Sequence, residues 1–211
     1  MKRTTLWLLL PLMALMQSTT CTKNGNNPPR QLFMINPIDQ YLTKEGDTLS
    51  ITAQPVGMPA EIGYSFTVSE GGTIYELGIR LPDTGYIYTV TLWDGVSQAI
   101  LAQEDIKVTN PTGFAYYDLT SVNAQVSVSA NHTYVIGVYM VPTNYSPSRG
   151  GGEDFFTMQR SDQANFLPLT EGPVTFLYEY TASSNSPTFP ANLSDYLNYI
   201  DGFIDIGFSY Y

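Results

Sequence analysis

The chain is poor in the residues on which many small-protein functions depend. Its 211 residues include one cysteine, one histidine and only 9 lysines and arginines. One cysteine excludes an internal disulfide framework, and with one histidine it excludes a Cys/His zinc cluster. Nine basic residues against 19 acidic ones leave a net charge of −10. Nothing there could displace counterions from phosphates, so nucleic acid is excluded as a partner. Charged residues amount to 13% of the chain, too few for a disordered polyelectrolyte, a coiled coil or a salt-bridged helical bundle. No G-x-S-x-G elbow, P-loop, dinucleotide fingerprint or EF-hand loop is present. A catalytic triad would have to use His132, which lies in a turn, Ala130-Asn131-His132-Thr133, and reads as solvent-facing.

What the chain does have begins at its amino terminus. Met1-Lys2-Arg3 is basic, Leu6 to Met16 is an apolar run broken by Pro11, and Gln17-Ser18-Thr19-Thr20 is small and polar. This is the layout of a secretory signal peptide, and the run is shorter than the ~20 apolar residues of a membrane-spanning helix. Cys21 follows directly. The arrangement resembles the signal of bacterial lipoproteins, whose cleavage leaves the cysteine as the acylated first residue. That resemblance implies a lipid anchor on Cys21 and a periplasmic, outer-membrane or cell-surface address. Each buried CH₂ contributes ~0.8 kcal/mol, so several acyl chains would hold permanently. The alternative is ordinary cleavage, with Cys21 left as an idle thiol. The acidic body would stand off from an anionic lipid surface, so the membrane is expected to be touched through the anchor alone.

Residues 21–46 are rich in Asn, Pro and Gly in their first part and read as a flexible tether. From 47 to 211 short alternating runs rich in Tyr, Thr, Val and Ile are punctuated by Gly, Pro, Asn and Asp. Ten of them read as strands: Thr48–Ala53, Ile62–Ser69, Thr73–Leu81, Tyr86–Trp93, Ala99–Val108, Phe114–Leu119, Gln125–Ser129, Tyr134–Met140, Val174–Tyr180 and Phe203–Tyr210. The pattern predicts one all-β domain, an antiparallel, jelly-roll-like β-sandwich. Leu193–Ile200 fits one helical turn. Pro82-Asp83-Thr84-Gly85 has the chemistry of a hairpin turn. Pairing Leu81 with Tyr86 would set Ile79, Leu77 and Tyr75 opposite Tyr88, Val90 and Leu92 on the core face, with Trp93 on the other face beside Ile74.

The order of landmarks from Ile62 onward resembles a bacterial family of unknown function. They include Phe66-Thr67-Val68, Gly72-Thr73-Ile74, Gly78-Ile79-Arg80, Leu92-Trp93-Asp94, Tyr117-Asp118-Leu119, Thr133 through Tyr139 and Phe203 through Phe208. The resemblance implies a β-sandwich of the kind found in secreted and surface proteins beside carbohydrate-active modules, and it supplies no catalytic residues.

Four side chains are candidates for ligand binding. An exposed Trp93 would offer a flat apolar face to the C–H face of a sugar. The alternative is that a crossing segment covers it. The stretch 142–173 is a long, weakly alternating excursion carrying Tyr145, Arg149 and Phe156. It reads as a binding loop, or as a cover whose Phe155 and Phe166 cap the core. Glu153 and Asp154, after three glycines, form a weak candidate Ca²⁺ site; no other cofactor is expected. Paired carboxylates would be the route to a glycosidase, with Glu104, Asp105, Asp118, Glu153, Asp154, Glu179 and Asp205 available. Scattered acids on an exported domain more simply keep it soluble. The expectation is a non-enzymatic surface lipoprotein binding a glycan. The alternatives are an adhesive component binding surface protein through edges such as Phe203–Tyr210, and a glycosidase.

Overall fold

Alternation builds two opposed inner faces. The computed structural model describes residues 30–211 apart from 47–48, 55–56, 142–154 and 163. In β3 (Ala60–Val68) the side chains of Ile62, Tyr64, Phe66 and Val68 are buried. Tyr88, Val90 and Leu92 of β5 (Ile87–Asp94) and Tyr134, Ile136, Val138 and Met140 of β9 (Thr133–Met140) join them. These strands lie in one sheet, completed by β6 (Ile100–Lys107), β11 (Leu169–Glu171) and β12 (Val174–Ser183), in the order β11-β12-β3-β9-β5-β6. The short β13 (Asn192–Leu193) also pairs with β12.

The second sheet runs β1-β15-β4-β7, formed by Phe33–Ile35, Phe203–Tyr210, Gly72–Arg80 and Ala115–Asp118, with β8 (Val126–Val128) also on β4. Its buried Ile35, Ile74, Leu77, Ile79, Ile204, Ile206 and Phe208 belong to the same core cluster as the apolar rows of the first sheet. A small third sheet, β14-β10-β2, comprises Tyr199–Asp201, Phe155–Arg160 and Leu49–Gln54. All strand pairs are antiparallel, and the fold is an all-β sandwich.

The ten expected strands are present, with ends shifted by at most three residues. Four local expectations are corrected. Leu81–Tyr86 joins strands of different sheets: β4 pairs with β15, β7 and β8, while β5 pairs with β6 and β9. Long-range partners outcompete the local hairpin: Pro82 and Gly85 are bends, and the Gly85 amide donates to the Val108 carbonyl at 2.7 Å. Leu193–Ile200 holds β13 and the start of β14 instead of a helical turn. Phe203–Tyr210 lies between β1 and β4: β4 pairs along its length, and β1 covers the other edge at Phe208–Tyr210, so that end is interior and not free. Finally, residues 33–45, read as tether, form β1 and the helix α1 (Pro37–Glu45).

That helix is held from a distance. Pro37 opens it, where a missing N–H is harmless. Asn36 makes no side-chain cap. The Asp205 carboxylate of β15 instead accepts the Ile38 and Asp39 amides at 3.0 Å each. Ile38 and Leu42, one turn apart, face the core, and Tyr41 meets Phe166 edge-on at 5.4 Å. Among the described residues no helix is long and apolar enough to cross a membrane.

Candidate functional site

The outer face of the second sheet carries a ligand-sized cleft. Met34, Ser209 and Thr73 are register partners across β1, β15 and β4, so they share one face. Their chain neighbours Ile35, Phe208 and Ile74 fill the core, which turns this row to the outside. Tyr75 continues it at a β-bulge, where Gly207 pairs with Glu76 and Phe208 with Ile74. Its ring fits because Gly207 is bare: a Cβ there would stand 2.8 Å from Tyr75 Cε2. Leu32, Gly72, Thr120, Gln125 and Tyr211 complete a cleft of about 310 Å³. This volume is at the lower end of small-ligand sites.

The chemistry of the lining is uniform. Two phenol rings and the apolar Leu32 and Met34 stand among Thr, Ser and Gln side chains, with no charged residue. Burial, with Glu76 and Asp205 nearby, raises the Tyr75 pKa, so its hydroxyl remains a donor at all physiological pH. Leu32, Met34 and Tyr211 are about half exposed or more, which is expensive for idle apolar surface. Sequence reasoning missed this site. Its residues come from both ends of the domain, from β4 and from the stretch 120–125, and no local spacing joins them.

The expected binding residues lie elsewhere. Trp93 is turned away from the main core, as its parity implies, yet it is only 2% exposed. Phe189 meets its indole edge-on at 5.9 Å, so it offers no free platform for a sugar. The covering segment comes from the chain after β12. Phe156 is half-buried and stacks on Phe203 at 5.4 Å. The Arg80 guanidinium lies over both rings at 5.5 and 5.6 Å and donates to the Pro111 carbonyl. Phe156 is therefore a packing residue, and Phe155 and Phe166 pack on the core as a cover would. Cys21, Tyr145, Arg149, Glu153 and Asp154 lie outside the described residues. Among the described residues, no three His, Cys, Asp or Glu side chains gather where they could hold a metal ion.

Four of the acids named as a catalytic pool make hydrogen bonds within the fold. Asp118 caps the 3₁₀ turn Leu119–Val122 through the Thr120 amide, and Asp105 accepts from Thr89. Asp205 is fully buried, and burial pushes its pKa up to about 7 against the pull of the Ile38, Asp39, Ile206 and Tyr116 donors. Glu179 is also buried, accepts the Asp201 amide at 2.8 Å and is pushed up to about 8, by burial first and the Asp201 charge second. The Tyr64 hydroxyl donates to the carbonyls of Asp201 and Gly202, and Thr157 donates to Asp201 Oδ1. These bonds fasten β14 to the sandwich. His132 is partly covered and pairs with Asp94 at 2.7 Å. That contact and the Ser97 and Val96 amides hold Asp94 well below the usual carboxylate range.

Fold and cleft together define a class: an antiparallel β-sandwich module with an uncharged cleft on an open sheet face. A family model described as a domain of unknown function, DUF4082, matches residues 47–200, and the chain belongs to that family. β1, α1 and β15 lie outside the matched stretch. No curated protein matches the chain.

Proposed function

We propose that this chain is an exported, lipid-anchored surface module that binds an uncharged glycan without turning it over. The single observation that carries the binding reading is the cleft of Tyr75, Tyr211, Thr73, Ser209, Thr120 and Gln125, which joins ring faces to hydroxyl and amide groups and contains no charged side chain. Aromatic faces suit the C–H side of a pyranose, and short polar side chains suit its hydroxyls. An anionic sugar would enter this cleft without a cationic partner, on a protein of net charge −10. The anchor on Cys21 and the surface address rest on the signal-like amino terminus. The test is a glycan array probed with the full chain and with Tyr75→Ala and Tyr211→Ala. Neutral glycans should be retained and acidic ones ignored, at about millimolar affinity per site, or ~−4 kcal/mol. Both substitutions should abolish retention. No retention of any neutral glycan would end this reading.

A second reading, adhesion to surface protein, is favoured by β6. It ends its sheet and exposes Ile100 at 58%, with Ile87 of β5 exposed at 63%. Such an edge can accept another strand. It predicts self-association or partner capture that Ile100→Lys abolishes, measured by sedimentation and by crosslinking on intact cells.

A further inference from the structure

The outer face of the first sheet holds a second constellation that the cleft does not use. Gly63 of β3 and Gly137 of β9 are direct cross-strand partners. They form a bare floor: a Cβ on Gly137 would stand 2.9 Å from Glu61 Oε1 and 3.1 Å from Trp93 Cζ3, and one on Gly63 would stand 3.1 Å from Pro190 Cγ. The indole and the carboxyl thus flank the same glycines. Over them runs the segment 184–190. Phe189 touches Trp93, the Thr188 amide donates to Glu61 Oε2 at 3.3 Å, and the Ser184 amide donates to the Pro59 carbonyl at 3.2 Å. Tyr139 donates to the Ser184 carbonyl at 3.3 Å.

Few bonds hold this strap, and one atom beneath it is unsatisfied. Glu61 is completely buried, its Oε2 has only the long Thr188 contact, and its Oε1 has no hydrogen-bond partner. A buried polar atom without a partner costs about 1–3 kcal/mol, and a charged one costs more. Among the described residues no Lys, Arg or His forms an ion pair with it. On that face the titratable neighbours among the described residues are Tyr139 of β9, Tyr178 and Tyr180 of β12 and, toward the far edge of the sheet, Asp105 and Lys107 of β6. The strap carries no titratable side chain.

We propose that residues 184–190 are a proton-operated latch: protonated Glu61 keeps the strap down, and ionised Glu61 lifts it, uncovering Trp93 and the glycine floor. The ionised carboxylate regains water when the strap moves, because Thr188 and Phe189 lie over the floor that the carboxyl shares with Trp93. Burial raises the Glu61 pKa to about 8, which sets the pH at which the latch works. Below that value the strap is down; above it the strap is open. This inference is independent of glycan binding at the cleft.

The test uses the full chain carrying Trp7→Phe, so that Trp93 is the only indole. Acrylamide quenching of its emission is followed from pH 6 to 9.5, with far-ultraviolet dichroism recorded in parallel. A rise of about threefold in the quenching constant centred near pH 8, with unchanged dichroism, is expected. Glu61→Gln should stay at the low value throughout. Phe189→Ala should be readily quenched already at pH 6. Glu179→Gln should keep the transition, because Glu179 pairs with Tyr64 on the opposite face of the sheet. A flat wild-type profile overturns the proposal, as does a transition that survives Glu61→Gln or one in which the dichroism collapses. If Glu61→Gln fails to fold, a flat wild-type profile still overturns the proposal, and loss of the transition in Glu179→Gln does so too.

Discussion

Single residues decide where this sandwich can be opened and where it cannot. Gly63 and Gly137 let the strap lie against the sheet, and Gly207 lets the Tyr75 ring lie beside β15. At Gly63 the obstacle is backbone, since a Cβ would come within 2.6 Å of the Ile136 carbonyl oxygen. Gly63→Ala should therefore lower stability by about 1–3 kcal/mol, read as a reduced urea midpoint. Tyr75→Ala should cost less, because its ring is partly exposed at the cleft, and should remove glycan retention while the urea midpoint stays within about 1 kcal/mol of the parent. Trp93 shows how far a residue can be placed from sequence. Its orientation away from the main core was legible from alternation along β5. The cover was not, because Phe189 arrives from a segment 96 positions later.

At the scale of elements, the ten longer or better-alternating strands were legible, while β1, β10, β11, β13 and β14 and all the strand partners were not. Side chains alternating between core and outside mark β3, β5, β9 and β12 one by one. Pairing of β4 with β15 joins positions more than 120 residues apart, and no local pattern encodes it. The turn at Pro82–Gly85 suits a hairpin and a sheet-to-sheet crossing equally. Helix α1 was hidden for a related reason. Nine residues with two buried apolar side chains one turn apart give a weak periodic signal, and the cap is Asp205. Asp205→Ala should strip the Ile38 and Asp39 amides of their acceptor and leave Tyr116 unpartnered. The expected loss is about 2–3 kcal/mol, with increased amide hydrogen exchange over α1 before the rest of the domain. The cleft was illegible on the same grounds: Met34, Thr73 and Ser209 meet only through the β1-β15-β4 register.

The molecule as a whole carries an unusual proton balance. Glu61 and Glu179 are raised from 4.5 to about 8, and Asp205 from 3.8 to about 7. Each is a carboxyl whose folded pKa lies above its unfolded one. Between those two values the folded chain holds a proton that the unfolded chain has lost. Their contribution is therefore fully present below about pH 4 and declines as pH rises toward 7–8. Each group lowers stability by about 1.4 kcal/mol per pH unit within its window. The opposing carboxylates Asp94 and Asp118, whose pKa values are depressed, act only in strong acid. Urea midpoints should thus be higher at pH 5 than at pH 8, and Glu179→Gln should flatten the slope by about one proton. A midpoint rising across that range would contradict these assignments.

The proposed glycan cleft is tested most directly by nuclear magnetic resonance titration of the labelled full chain with a neutral oligosaccharide retained on the array. Shifts confined to Leu32, Met34, Thr73, Tyr75, Gln125, Ser209 and Tyr211, and absent with a uronic acid analogue, are the predicted result. Shifts centred on residues 142–154 or on the strap over Trp93, with the cleft unmoved, would contradict it.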